Sequence, residues 1–284
     1  MNVLSLARLT RIEHSIFLVI AVAIGEIMAL GHFPNPELAV MSFIPPFAIG
    51  LASFAINDYF DLETDKQNRR TDRPLVNGSV TPHVAFYGSM VLFLLGISAS
   101  FWLSPDCQAI ASAFAIAAFL YSYKLKDMPL VGNAYIASTM AIPFIYGSYV
   151  IDPNIKPAII VLSIIAFITG LAREIAGDVR DMEGDIKARN SKTIPLLIGK
   201  RNAITLQCIL YLIAVLLSVY PYLYIEPFIG NINYIIPIIV TDILIAYAAI
   251  STVFDQSAKS FRKARNMSLA ALGIGLIGFL SGIL

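Results

Sequence analysis

Charge is what this sequence has least of. Only 14% of its 284 residues are Asp, Glu, Lys or Arg, while 57% are hydrophobic; a soluble domain carries roughly 25% charged residues. That deficit excludes an ordinary water-facing surface. Cysteine is nearly absent as well. Cys107 and Cys208 stand singly in or at the edge of apolar segments, so neither a disulfide framework nor a thiolate metal site is expected. Of the three histidines, His32 and His83 lie between apolar segments without metal-ligand spacing, and His14 begins the first segment. A net charge of +1 gives no indication of nucleic acid, and no nucleic-acid partner is expected.

What the sequence has in quantity is long apolar runs. Windows of the length needed to cross the hydrocarbon, about 17 to 25 residues, fall near 14–31, 38–57, 83–103, 107–123, 131–150, 157–176, 204–224, 233–254 and 266–283. The expectation is an all-α polytopic membrane protein of nine transmembrane helices, a single domain over 1–284. Arg8 and Arg11 precede an apolar run containing "AVA", as in a signal peptide, but the run continues well past it. The first window is therefore expected to be a retained span.

The cations divide by side. Nineteen of the 20 Lys and Arg fall in the N-terminus, at the end of window six, and in the segments after windows two, four, six and eight; Lys156 alone falls on the other side. The positive-inside tendency then puts the N-terminus and the charged loops in the cytoplasm and the C-terminus on the far side.

Charge concentrates at two places. "NDYFDLETDKQNRRTDRP", residues 57–74, follows window two, and "REIAGDVRDMEGD", residues 173–185, follows window six. Asp58 and Asp178 are 120 residues apart; "PLVNG" follows Asp65 and "PLLIG" follows Asp185 at nearly equal distance. This is a weak internal repeat that puts both clusters on one membrane face, and membrane repeats often build their site at the repeat interface. On a helix, Asn57, Asp61 and Asp65 share a face with Asp58 at its edge, and Glu174, Asp178, Asp181 and Asp185 form one stripe. Like charges so spaced repel, and a divalent cation would offset the repulsion. Oxygen ligands without Cys or His suit a hard ion. Mg²⁺ takes one or two carboxylates and completes its shell with water and substrate phosphate. Two facing stripes could hold two or three such ions around a diphosphate. The interleaved Arg69, Arg70, Arg73, Arg180, Lys187 and Lys192 would then neutralise phosphate oxygens.

Three further features are weaker. In "YSYK", residues 121–124, Tyr121 and Lys124 share a face and suit either a phosphate contact or an aromatic belt with a snorkelling lysine. Glu26 and Asp242 are ionisable groups inside apolar runs, where such residues face the bundle interior by default.

"NDYFDLETD", "RTDRPL", "YSYK", "DVRDMEGD" and "KTIPLLIG", in this order and separation, resemble the UbiA superfamily of intramembrane prenyltransferases. The resemblance implies an Mg²⁺-dependent enzyme that binds an isoprenyl diphosphate, ionises its allylic C–O bond and transfers the prenyl group to a lipophilic acceptor within the membrane lipid. It implies Asn57, Asp61, Asp65, Asp181 and Asp185 as metal ligands, with Asp58 and Asp178 as supporting acids. Arg69, Arg73, Lys124 and Lys192 follow as diphosphate contacts, with Tyr121 beside them. "AREIAGDVRDMEGD" is most similar to archaeal digeranylgeranylglyceryl phosphate synthases, which implies geranylgeranyl diphosphate as donor and geranylgeranylglyceryl phosphate as acceptor, in archaeal ether-lipid biosynthesis. "TRIEHSIF" is more similar to the aromatic-acid prenyltransferases of quinone pathways, with Arg11-Ile12 where many members carry Arg-Pro. An ion-coupled transporter is the rival of another class. The position of the clusters at span ends rather than at the midplane, and their arginine content, speak against it.

Overall fold

The computed structural model of the chain describes residues 3–188 and 193–284, with side chains omitted over 183–188. Among the described residues it is all-helical. A short helix, α1 (Val3–Thr10), precedes α2 (Ile12–Leu30), α3 (Pro36–Gln67), α4 (Pro82–Ser100) and α5 (Pro105–Tyr123). Then come α6 (Val131–Ile151), α7 (Pro157–Ala188), the single-turn α8 (Ile194–Ile198), α9 (Lys200–Tyr224), α10 (Ile232–Phe254) and α11 (Ala258–Ile283). Each of the nine expected windows falls on a helix. Eight of these are long and apolar enough to cross a membrane; the exception is α5, which has the length at 19 residues but is diluted by alanine, serine and its polar first turn.

The sequence punctuates these helices clearly. Proline occupies the first turn of α3, α4 and α5, where its missing N–H costs nothing, and Asn35, Thr81 and Ser104 cap them by accepting from the amides of Glu37, Val84 and Cys107. Each such cap stabilises its helix by about 1 kcal/mol.

The centre of the bundle is the α2–α6 pair. Ile24 and Met28 of α2 and Phe144 of α6 pack into one core with Ile159, Leu162, Tyr234 and Phe279, whereas Val22 and Tyr146 pack into a second core with Ile56, Phe93 and Ala115. Two glycines let the pair approach closely. Gly25 faces the Phe144 carbonyl and Gly147 faces the Val22 carbonyl, each without room for a Cβ. Leu94, Leu212, Leu216, Ile243 and Ile277 point outward and are more than half exposed. An apolar exterior of this extent is matched to lipid rather than water.

The two longest helices, α3 and α7, are each 32 residues and each open on proline, Pro36 and Pro157. Both extend past their expected spans. They carry "NDYFDLETD" and "DVRDMEGD" as helical continuations, so the internal repeat seen in the sequence is a repeat of these long helices.

Candidate active site

The first acidic motif occupies the last turns of α3. Asp58, Asp61 and Asp65 are buried, at 2%, 8% and 7% exposure, because the helical i, i+3/i+4 spacing turns all three towards the bundle. Asn57 donates from Nδ2 to Asp61 Oδ2 at 3.0 Å, one turn away. A buried carboxylate must be paired or hydrogen-bonded, and cations from distant segments do this. Arg11, between α1 and α2, reaches Asp58 Oδ1 at 3.0 Å, and Arg73 pairs with the same oxygen and lies 3.8 Å from Asp65. Asp58 Oδ2 is buried without a hydrogen bond. Burial, and then the neighbouring Arg73, push the Arg11 guanidinium below its usual value, while Asp58 opposes them.

Arg73 is aimed by the fold of the segment after α3. That segment turns back through backbone bonds from the Arg70 amide to Asp65 and from the Arg73 amide to Arg70. It is pinned where Leu75 and Val80 bury against Leu9 of α1 and Ala85 of α4. Burying each of those side chains stabilises the turn by about 1.5–3 kcal/mol.

The link to the second motif is the connection after α5. A 3₁₀ turn, Leu125–Asp127, swings Lys126 inward so that its Nζ lies 2.7 Å from Asp61 Oδ1. Gly132, at the start of α6, packs against the backbone of Leu125 and Lys126. The next residue, Asn133, is buried and donates from Nδ2 to Asp178 Oδ2 at 2.9 Å. Asp61, Lys126, Asn133 and Asp178 thus form a polar path from α3 to α7 through the 126–133 segment. On α7, Arg180 grips its neighbour Asp181, with Nε 2.8 Å from Oδ1. Asp181 is about half exposed. The side chains of Asp185 and Lys187, and Lys192, lie outside the described residues.

Among the described residues no three His, Cys, Asp or Glu side chains converge as a metal cage. The donor set nevertheless fits a hard divalent ion: carboxylate and amide oxygens, with one carboxylate oxygen of Asp58 buried and unpartnered. A site of one or two carboxylates from each motif, completed by a ligand's own oxygens, needs no three-acid cage.

A family model for UbiA prenyltransferases matches residues 18–272. The chain belongs to the UbiA prenyltransferase family. It is 36% identical over 274 residues to a digeranylgeranylglyceryl phosphate synthase of Archaeoglobus fulgidus, an alignment covering 96% of this chain and 93% of that protein. A solved structure concerned with digeranylgeranylglyceryl phosphate synthase in membranes superimposes with a TM-score of 0.82 at 27% identity, covering 98% of this chain and 97% of the other. A UbiA homologue from Archaeoglobus fulgidus, bound to DMAPP and Mg²⁺, gives a TM-score of 0.68 at 20% identity, covering 97% and 99%. At that identity the likeness shows the fold alone.

Within this UbiA fold, two residues expected to contact the diphosphate, Lys124 and Arg69, form no ion pair with a described residue. Lys124 is exposed and forms no ion pair with a described residue. Helix α5 ends at Tyr123, and Lys124 leaves the helical path at φ −150°, so the shared face with Tyr121 is lost. Lys126 is the lysine that reaches the acids. Arg69 lies beyond the end of α3, exposed and in a left-handed turn at φ 53°, away from the carboxylates that Arg73 engages. Tyr121 is half-buried and stacks on Tyr135 at 4.8 Å. Three residues of the site were not assigned from sequence: Arg11, Lys126 and Asn133. Lys126 stood in a short charged connection, and Asn133 was a lone amide opening an apolar span; neither has a spacing signal of its own.

The two intramembrane acids differ. Asp242 accepts from Ser218 Oγ at 3.0 and 2.9 Å and is satisfied by the neighbouring helix. Glu26 is fully buried, with Ser42 beside it but outside hydrogen-bonding geometry; the Ser42 hydroxyl donates to the Ala39 carbonyl. Fifteen residues of helix separate Glu26 from Arg11, about 22 Å at 1.5 Å per residue. It therefore lies at the end of the bundle opposite the acidic motifs.

Proposed function

We propose that the protein transfers a geranylgeranyl group from geranylgeranyl diphosphate to the free hydroxyl of geranylgeranylglyceryl phosphate, an Mg²⁺-dependent step of archaeal ether-lipid synthesis. The observation that carries this reading is the near full-length similarity to a digeranylgeranylglyceryl phosphate synthase, joined to two acidic motifs brought to one end of the bundle. The aromatic-acceptor reading has only "TRIEHSIF" in its favour.

In this reading two or three Mg²⁺ ions, held by Asn57, Asp58, Asp61 and Asp65 on one side and Asp181 and Asp185 on the other, would neutralise the departing diphosphate. Lys126 and Arg73 compensate the buried carboxylates and turn to phosphate oxygens when the donor binds. The allylic C–O bond breaks with its electron pair on the diphosphate. The acceptor oxygen forms the new C–O bond to the allylic carbon. Its proton passes to Asp178, which Asn133 holds in place. The apolar bundle interior keeps water from the cationic carbon. The motifs face the cytoplasm, the N-terminus lies on that side and the C-terminus opposite, as the distribution of Lys and Arg favours.

The experiment is to incubate purified protein with Mg²⁺ and labelled geranylgeranyl diphosphate, offering geranylgeranylglyceryl phosphate and 4-hydroxybenzoate separately. Product from the glyceryl phosphate alone is expected. Product from the arene alone would reassign the acceptor; no product and no diphosphate release would return the transporter to consideration.

A further inference from the structure

The outer face of the α10–α11 pair carries charge that the reaction above does not use. The two helices are close-packed: Thr241 Oγ1 donates to the Ala271 carbonyl at 3.0 Å, and Gly278 lies against Pro237 and the Tyr234 carbonyl. Along one flank of this seam, Ile236, Ile243 and Tyr247 of α10 face the same way as Lys263, Ala270 and Ile277 of α11, and all six are exposed. The spacing puts them there. Lys263, Ala270 and Ile277 recur every seven residues, and Ile236, Ile243 and Tyr247 fall at i, i+7 and i+11. Lys263 ties the two rows together: its Nζ donates to the Tyr247 hydroxyl at 3.3 Å and lies 5.3 Å from the centre of that ring. The apolar groove from Tyr247 to Ile236 is about 16 Å long at 1.5 Å per residue. One leaflet's hydrocarbon is about 15 Å thick.

The head of the groove is basic. Lys259, Arg262 and Lys263 are exposed at the start of α11 and form no ion pair with a described residue. Acids are few around them. Helices α9 and α11 contain none, and Asp242 of α10 accepts from Ser218 of α9. Glu174 of α7 is answered by Arg265 and Arg173. Asp255, just after α10, accepts from the Ser257 amide at 2.9 Å; that bonding, with a smaller pull from Lys259, holds its carboxyl below the ordinary value. One acid against three cations leaves Arg262 and Lys263 without a countercharge. These two are on different flanks, because one residue of helix turns them about 100° apart. Only Lys263 overlooks the groove.

We propose that this groove binds a membrane lipid with an anionic phosphate head, Lys263 and Lys259 holding the phosphate and one chain running between Ile243 and Ala270. An ammonium at the edge of the hydrocarbon is costly without a countercharge. Tyr247 keeps Lys263 at the groove mouth, where an unrestrained lysine would extend towards water. A lipid phosphate supplies the missing charge and its chain covers the apolar rows. A free phosphate supplies only the first, and a zwitterionic headgroup carries its own cation. A second copy of this chain is a poorer occupant, since a two-fold contact would set Lys259 and Lys263 against themselves with no acid on α11 to answer them. The site makes the α10–α11 pair a sensor of the headgroup charge in the surrounding membrane, and it does not depend on the donor or acceptor assigned above.

The test titrates the full chain, purified in neutral detergent, with phosphatidylglycerol or phosphatidylcholine and counts bound lipid by native mass spectrometry. Wild type is expected to take one phosphatidylglycerol in preference to phosphatidylcholine by about five- to tenfold, the scale of one lysine–headgroup contact. Lys263→Gln should remove that preference. Arg262→Gln, the same charge change on the other flank, should leave it unchanged. Ala270→Phe, which fills the path of the chain, should weaken phosphatidylglycerol binding with Lys263 intact. Lys263 and Ala270 are exposed, so both variants should keep the wild-type elution volume. Equal losses in Lys263→Gln and Arg262→Gln would mean diffuse attraction to a basic surface and overturn the site. Unchanged binding in Ala270→Phe, or displacement of phosphatidylglycerol by an equal concentration of inorganic phosphate, would leave a bare anion site and overturn the lipid. A dimer that Ala270→Phe dissociates would name a second copy as the occupant and also overturn it.

Discussion

Lys126 and Asp61 are 65 residues apart in the chain and 2.7 Å apart in the structure. The contact depends on α5 ending one turn early enough for a 3₁₀ turn to bring Lys126 back over the end of α3. It puts a point charge against a carboxylate proposed to hold metal. Lys126→Ala is expected to reduce prenyl transfer about 10²-fold, the scale for removing one group that stabilises developing charge. Lys124→Ala should stay near wild type. Steady-state rates on the two variants check this, and equal effects would mean that the turn rather than the ammonium matters.

Asp61→Asn and Asp181→Asn are each expected to abolish transfer, a loss of more than about 10²-fold, while the purified protein keeps its helical circular dichroism and its elution volume. Chelation with EDTA should do the same to wild type and be reversed by excess Mg²⁺. Full activity in EDTA would remove the metal from the mechanism.

Asn133 touches Asp178 at 2.9 Å and is itself buried. Asn133→Ala removes that hydrogen bond from the carboxylate. A loss of about 10–100-fold is expected, the range found for residues that orient a metal-site group. It should fall on kcat more than on the donor KM, and a KM effect alone would count against a positioning role.

The α2–α6 contact predicts a stability effect remote from the site. Gly147 faces the Val22 carbonyl and Gly25 the Phe144 carbonyl. A methyl at either position forces the helices apart, and Gly147→Ala should cost about 1–3 kcal/mol, read as a lower midpoint in a thermal scan in detergent. The double variant should cost less than the sum, because the first substitution already opens the shared contact.

Membrane sidedness can be read by cysteine labelling. After Cys107 and Cys208 are replaced by serine, a cysteine placed at Ser5 should react from the cytoplasmic face and one at Leu284 only from the other. Opposite faces require an odd number of crossings, so this outcome would make α5 a true span. Labelling of both ends from one face would instead agree with the eight helices that are apolar enough on their own.

Much of this architecture was legible from local physics. Nine apolar windows became helices because a chain without water around it must satisfy its backbone within each segment. Proline and Asn, Ser or Thr at the starts of α3, α4 and α5 marked their ends. The i, i+4 spacing of Asn57, Asp61 and Asp65 foretold one shared face, since a helix is defined by neighbours in sequence. The same local reasoning put Lys124 on the helical face of Tyr121, whereas the helix ends at Tyr123, one residue earlier.

Partner choice was decided by the tertiary structure alone. Which cation answers which carboxylate depends on how loops return: Arg11 and Arg73 to Asp58, Lys126 to Asp61, Asn133 to Asp178. These contacts span 15 to 65 residues and follow no period. They are set by where Leu75 and Val80 bury and where Gly132 allows backbone to meet backbone. The sequence by itself determined the helices, the lipid-facing exterior and the type of ligand atoms. The fold determined which side chains meet, because the free energy of a buried charge depends on what is within a few ångströms of it, and that distance is a property of packing.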